Sequence, residues 1–197
     1  MKTLLTVLFL LAGPAHATQD AWPALYDVTG VGAGDVLNVR EGPSARTRAI
    51  GSLSSDARGV EILERDEPTG WGRVNLPEGP GWVSMRYLSR RPGQWAGAFP
   101  PVAACFGTEP FWRLELEGEA ATWSVPGGEV RGQVEGRLSS AARRDRYGLV
   151  LALGEGRLAG VIAARACSDG MSDRLYGLAF DAVWGDDVFS GCCTLAP

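Results

Sequence analysis

The chain has 197 residues, of which 19 are basic and 23 acidic, so its formal net charge is −4. This mildly acidic balance, without a long basic stretch, disfavours nucleic-acid binding, and the length suits two small domains with a modest core each. Lysine and histidine occur once each, as Lys2 and His16, and every other positive side chain is arginine.

The first 17 residues have the pattern of a secretory signal peptide. Lys2 provides a positive start, residues 4–12 are apolar apart from Thr6, and Ala15-His16-Ala17 matches the small-x-small cleavage pattern. The apolar run is shorter than the roughly 20 residues of a permanent membrane helix. A buried N-terminal helix is the alternative. We expect cleavage after Ala17 and a periplasmic or otherwise secreted mature protein without a stable membrane span.

Cleavage would remove Lys2 and His16 and leave 18 basic against 23 acidic residues, a net charge of −5. A chain without lysine and histidine lacks the residues for Ser-His-Asp or Cys-His catalysis, Schiff-base lysines, histidine metal sites and P-loop phosphate binding. We therefore expect a protein that is not an enzyme and that uses no metal and no cofactor.

After a lead-in at 18–24, residues 25–90 alternate short apolar strands with glycine-rich turns, the pattern of a small all-β barrel. The recurring motifs are LNVREGPS at 37–44, IG at 50–51, GVEIL at 59–63, GWGRV at 70–74 and GWVSMRYL at 81–88. Together they resemble a bacterial SH3-type (SH3b) domain. The resemblance implies a five-stranded barrel in a secreted or envelope protein, usually a non-catalytic module that binds cell-wall peptides or other proteins.

Four aromatic residues of this segment are the ligand-binding candidates: Tyr26, Trp71, Trp82 and Tyr87. Aromatic side chains offer a large contact area at a low entropy cost, which suits a recognition surface. The alternative is that they fill or cover the barrel core, an interpretation that we favour for Trp82. For Asn38 and Arg40 we favour local hydrogen bonds that fix the following turn.

A Pro/Gly linker is predicted at 91–101, because its sequence shows neither a strand nor a helix period. Trp95 and Phe99 are unusual in a free linker, and packing of either ring on a domain would couple the two halves of the chain.

Residues 102–197 again read as strands, with clean alternation at Trp112, Leu114 and Leu116. The predicted strands are 111–117, 121–125, 129–136, 137–143, 147–153, 157–166, 175–184 and 188–192. About eight short antiparallel strands indicate a second β barrel or sandwich. The whole protein is thus predicted to be all-β.

Three motifs mark this second domain: CFGTEPFW at 105–112, CSDGMSD at 167–173 and GCC at 191–193. Their combination resembles an uncharacterised bacterial envelope domain, with the likeness covering 103–194. The resemblance implies no particular activity.

All four cysteines lie in this domain, and an even count in an exported protein indicates disulfides. Cys192 and Cys193 point to opposite faces if extended, so their simplest partners are Cys105 and Cys167, one each, in either pairing. A vicinal 192–193 bridge with Cys105 joined to Cys167 is the alternative. A redox role is disfavoured because the sequence has no Cys-x-x-Cys motif. A cysteine zinc site is disfavoured because export favours oxidation of the cysteines.

Asp169 and Asp173 are the carboxylates considered for catalysis or calcium binding, but we favour a role in turns, where aspartates accept backbone N–H groups. The leading hypothesis is an exported, non-enzymatic envelope protein whose SH3-like domain binds peptidoglycan or a protein partner. A cell-wall enzyme that uses carboxylates of the second domain and a periplasmic inhibitor or scaffold are the alternatives.

Overall fold

A computed structural model describes residues 19–196 of the chain, so the predicted signal peptide and its cleavage site lie outside the described residues. The regular secondary structure of the described part consists of β-strands and one 3₁₀ turn, which confirms the all-β prediction. None of the described residues forms a helix of the length and apolarity needed to cross a membrane.

The N-terminal half forms two antiparallel sheets that enclose a small core. Its strands are β1 (Ala24–Val28), β2 (Val36–Arg40), β3 (Ala49–Ser54), β4 (Val60–Ile62), β5 (Arg65–Asp66), β6 (Trp71–Leu76), β7 (Gly79–Ser84) and β8 (Leu88–Arg90), with a 3₁₀ turn at Met85–Tyr87. One sheet has the order β4-β1-β8 and the other the order β3-β2-β7-β6-β5. Their shared core contains Val28, Val39, Ile62, Val74 and Val83.

The C-terminal half is a closed barrel of eight antiparallel strands, which decides between the predicted barrel and sandwich. Its strands are β9 (Ala104–Thr108), β10 (Phe111–Glu117), β11 (Ala120–Val125), β12 (Gly128–Ser139), β13 (Arg146–Leu153), β14 (Gly156–Cys167), β15 (Tyr176–Trp184) and β16 (Asp187–Thr194). They follow one another as a meander, and β9 closes the barrel between β16 and β10.

The barrel core follows from strict alternation along its strands. In β10, Trp112, Leu114 and Leu116 are buried while the residues between them are exposed, as the sequence pattern predicts. Leu149 and Leu151 of β13 complete the same apolar interior. With eight strands, a barrel of this kind is just wide enough for its own side chains to fill.

Two strand predictions were wrong. The predicted strands 129–136 and 137–143 are one long strand, β12, interrupted by a register shift between Val134 and Gly136, and the chain turns only after Ser139. The strand β9 was not predicted, although it supplies the pairing that closes the barrel.

The two halves are in contact. Leu25 of β1 belongs to the core cluster of the barrel, and the Asn75 side chain both donates to the carbonyl oxygen of Leu175 at 2.7 Å and accepts from its N–H at 3.2 Å. The segment between the halves is also held, because Phe99 packs on the barrel core and the Gln94 side chain accepts the N–H of Leu25 at 2.6 Å.

Candidate functional site

A groove of about 440 Å³ opens on the N-terminal domain, between the β1–β2 loop and the 3₁₀ turn. The residues that line it are Gly30, Val31, Gly32, Asp35, Val36, Leu37, Asn38, Arg40, Ala45, Trp71, Ser84, Arg86 and Tyr87. Two of the four aromatic candidates from the sequence, Trp71 and Tyr87, are therefore brought together here.

The local sequence explains how these two rings reach the groove. In β6, Gly72 and Val74 turn into the core, so Trp71 faces outward and stays half-buried. Tyr87 lies in the 3₁₀ turn, and its carbonyl oxygen accepts the N–H of Thr29 at 2.9 Å, which ties this turn to the β1–β2 loop. Gly30 has a φ of 70°, a backbone conformation that favours glycine, and it lies against the Tyr87 ring.

Charges of both signs border the two rings. The exposed guanidinium of Arg86 lies 5.3 Å from the Tyr87 ring centroid. Asp35 also lines the groove, and one of its carboxylate oxygens accepts the N–H of Val36 at 2.7 Å. Such a surface offers stacking area together with a cation and an anion, which suits a peptide-like ligand that carries both kinds of charge.

Arg40 borders the groove but has a local role. Its Nη1 donates to the carbonyl oxygen of Thr47 at 2.7 Å, and this bond holds the β2–β3 turn, as expected from the sequence. The Thr47 hydroxyl in turn donates to the carbonyl oxygens of Gly42 and Ser44 within the same turn.

Tyr26 lies away from the groove, with only 5% of its surface exposed. Its ring stacks on Trp22 with centroids 6.0 Å apart, and Arg90 Nη1 donates to its hydroxyl at 3.0 Å. Burial raises the pKa of the Tyr26 hydroxyl, although the Arg90 charge opposes this shift. These contacts give Tyr26 a packing role between the lead-in and β8.

Trp82 also lies outside the groove. It projects from the outer face of the five-stranded sheet, opposite Arg40 in register, whereas its neighbours Gly81 and Val83 face the core. The guanidinium of Arg73 lies 5.2 Å from the Trp82 ring centroid. Trp82 therefore covers the sheet beneath an arginine and does not fill the barrel interior.

Sequence reasoning missed the residues that complete the groove, namely Gly30, Asp35 and Arg86. The signals available were the spacing of Gly30, Gly32 and Gly34, which indicates a loop with unusual backbone angles, and the position of Arg86 directly before Tyr87.

In the second domain, the three sequence motifs meet at one trough of about 600 Å³ on the outside of the barrel. Several of their residues have packing roles that the structure makes plain. A Cβ atom on Gly107 would lie 2.2 Å from Trp112 Nε1, and one on Gly191 would lie 2.0 Å from the carbonyl oxygen of Phe106. Both positions therefore need glycine to let the wall of the barrel close around Trp112.

The cysteines form the simplest arrangement expected from the sequence, and the vicinal alternative was wrong. Cys105 of β9 is joined to Cys193 of β16, and Cys167 is joined to Cys192. Because β16 is extended, the Cys193 side chain points to the barrel interior and the Cys192 side chain to the outer face. The Cys167–Cys192 disulfide anchors the end of β14 to β16.

The Asp169 carboxylate is occupied within its own loop. It accepts the N–H groups of Met171 and Ser172 at 3.0 and 2.9 Å and the Ser172 hydroxyl at 2.7 Å. Although partial burial opposes the shift, these donors hold the pKa of Asp169 below its ordinary value. Asp173 is exposed in the same loop. Among the described residues, no group of three or more histidine, cysteine or acidic side chains is arranged to hold a metal ion.

Comparison with known proteins agrees with the first of the two resemblances. No curated protein and no solved structure matches the chain. Residues 35–89, which hold β2 to β7, the 3₁₀ turn and most of the groove, match the family model of the bacterial SH3 domain. This match lies inside the segment predicted at 25–90, and the likeness of the second domain to an envelope domain stays a prediction. The chain thus contains a bacterial SH3 domain at residues 35–89.

Proposed function

We propose that this chain is an exported, non-enzymatic cell-envelope protein whose SH3 domain binds a peptide segment, either of peptidoglycan or of an envelope protein. The observation that carries this proposal is the groove that Trp71 and Tyr87 line together with Asp35 and Arg86. Bacterial SH3 domains are binding modules for such ligands, so the family match and the groove agree.

The chemistry of the groove suits a stem peptide of peptidoglycan or a short protein segment. Aromatic rings bury the apolar part of such a chain, Arg86 pairs with a carboxylate, and Asp35 attracts an amine. The hydroxyl of Ser84 and the amide of Asn38 offer further hydrogen bonds along the same surface.

Two observations support export and the lack of catalysis. Disulfides persist in oxidising compartments, and all four cysteines are bridged. The Asp169 carboxylate, considered for catalysis, is held by donors of its own loop, whereas a general acid near neutral pH needs a raised pKa.

Binding is tested by sedimenting the disulfide-bonded chain from Thr18 onward with purified peptidoglycan. We expect the wild-type protein to pellet and Trp71→Ala to bind about 30-fold more weakly, because a buried aromatic anchor typically contributes 2 kcal/mol or more. Arg86→Ala, a substitution of an exposed side chain, should also weaken binding.

Trp82→Ala is the matched control, since Trp82 is an aromatic residue of the same sheet outside the groove. Equal losses in Trp71→Ala and Trp82→Ala would contradict the assignment of the groove. If the wild-type protein stays in the supernatant, peptidoglycan is not its ligand, and the protein-binding form of the proposal is then tested by photo-crosslinking from position 86 in the periplasm.

A further inference from the structure

The end of the barrel that points away from the SH3 domain has an open, aromatic mouth. The turns at this end join β9 to β10, β11 to β12, β13 to β14 and β15 to β16. Between the second and the fourth of these turns lies a cavity of about 440 Å³. Its walls come from β11 and β12 on one side and from β15 and β16 on the other, which are opposite each other in the eight-stranded order.

The lining of this cavity is mainly aromatic and apolar. Trp123 forms the floor, 2% exposed, with the Trp184 ring 5.4 Å and the Phe189 ring 4.8 Å from it, both edge to face. Trp112 stacks beneath Trp123 at 4.7 Å and fixes the plane of the floor. Val125 and Val130 complete the apolar wall.

The opposite end of the barrel is closed. Leu25, Val102 and Leu195 are buried in the barrel core, and the Phe99 ring lies 6.0 Å from that of Tyr147. One end is thus sealed by the chain itself, whereas the aromatic end is left open to solvent. Mouths of β-barrels are among the places where small ligands bind.

The charged residues at the open mouth are acidic. Glu129 and Asp187 line the cavity, and no basic residue of the described chain does so. Glu129 is paired with Arg131 at 2.7 Å, so its charge is largely compensated. Asp187 is exposed, follows Asp186 directly in the chain, and takes part in no ion pair among the described residues. The net field at the mouth is therefore negative.

We propose that this mouth binds an organic cation, that is, an amine or quaternary ammonium group with an apolar body. The half-buried Trp184 ring, which lines the cavity above the buried Trp123, attracts a cation through its ring quadrupole. A cation with apolar substituents loses little hydration when it enters such a site. Asp187 supplies the opposing charge at the rim. The proposal concerns the second domain and is independent of the groove in the SH3 domain.

Choline is the probe, and 3,3-dimethylbutan-1-ol, which has the same shape without the charge, is the control ligand. The disulfide-bonded protein, labelled with ¹⁵N, is titrated while the indole N–H signals are followed by NMR. We expect saturable shifts of the Trp123 and Trp184 signals with choline. The neutral alcohol should bind about 5- to 30-fold more weakly, the range that a cation–π contact supplies.

The variants separate charge from shape. Asp187→Asn changes an exposed side chain and should weaken choline binding several-fold without affecting the alcohol. Asp173→Asn, an exposed aspartate in the loop at the other end of the barrel, should leave both titrations unchanged. Equal binding of choline and the alcohol, an unchanged choline titration in Asp187→Asn, or the absence of any saturable indole shift would each overturn the proposal.

Discussion

At the scale of single residues, some positions of the barrel wall have no room for a side chain. Gly132 of β12 is one of them, since a Cβ atom there would lie 1.8 Å from the carbonyl oxygen of Ala152 on β13. The obstacle is backbone, which cannot move without breaking the strand pairing. We therefore expect Gly132→Ala to lower the free energy of unfolding by about 1–3 kcal/mol. Urea denaturation followed by circular dichroism measures this change.

Gly128 provides the comparison within the same strand. A Cβ atom at Gly128 would meet nothing within 4 Å, so Gly128→Ala should change the free energy of unfolding by less than about 1 kcal/mol. Equal stabilities of the two variants would show that the wall of β12 adapts to a side chain at position 132.

The sequence predicts a residue's environment well where alternation decides it. Burial of Trp112, Leu114 and Leu116 and the opposite directions of Cys192 and Cys193 follow from the two-residue period of a strand. The surroundings of Tyr26 depend instead on Arg90, which comes from a strand distant in sequence. No local sequence pattern predicts such a contact. The sequence alone therefore could not tell that Trp71 and Tyr87 line the groove while Tyr26 and Trp82 lie outside it.

At the scale of strands, predictions failed where pairing over a distance decides the element. β9 is five residues long and contains Gly107, and its strand character comes from its neighbours β10 and β16 on either side. β12 appeared as two strands because its bulge at Val134 and Gly136 interrupts the alternation without ending the strand.

The two disulfides close loops of different length in the unfolded chain. Cys105–Cys193 joins neighbouring strands β9 and β16 across a sequence separation of 88 residues, and Cys167–Cys192 spans 25 residues. Because the entropy that a cross-link removes from the unfolded chain grows with loop length, the longer bridge should stabilise more, by about 1 kcal/mol. Urea denaturation of the double variants Cys105→Ala/Cys193→Ala and Cys167→Ala/Cys192→Ala measures this difference.

Each double variant replaces a disulfide by two alanines, but Cys105 and Cys193 belong to the barrel core and Cys167 is only half-buried, so lost sulfur packing adds to the expected loss in Cys105→Ala/Cys193→Ala. A larger loss in Cys167→Ala/Cys192→Ala would contradict the entropic argument. It would mean that anchoring the end of β14 to β16 matters more to the barrel than fixing the pairing of β9.

At the scale of the whole molecule, a buried carboxylate lies where the two domains meet. Glu61 of β4 faces the C-terminal segment of the barrel, and its Oε2 accepts the hydroxyl of Thr194. Its Oε1 accepts no hydrogen bond from the described residues. Burial raises the pKa of Glu61, while the Thr194 hydroxyl, the backbone amides of Leu195 and Ala196 and the charge of Arg174 oppose the shift.

This raised pKa gives the protein a pH dependence of a definite sign. The folded state binds the Glu61 proton more tightly than the unfolded state does. The free energy of unfolding therefore increases as the pH falls from neutral through the raised pKa of Glu61 toward the ordinary glutamate pKa near 4.3. This contribution is lost as the pH rises through the raised pKa. The carboxylates with lowered pKa values, such as Asp27 and Asp169, act in the opposite direction but only below their ordinary values near 3.9. The range between pH 5 and 7 therefore isolates the contribution of Glu61.

Replacing Glu61 by glutamine tests whether this interface carries the pH dependence. Glu61→Gln keeps the shape and an acceptor for Thr194 while removing the charge, so it should be more stable than the wild-type protein at pH 7, with the difference shrinking toward pH 5. Urea denaturation at pH 5, 6 and 7 of the chain from Thr18 onward, which lacks His16, measures how the free energy of unfolding of each protein changes with pH. Glu78→Gln, an exposed glutamate in the β6–β7 turn, should retain the wild-type slope. If Glu61→Gln retains it as well, Glu61 is ionised in the folded protein at no cost, and the contact between the domains tolerates a buried charge.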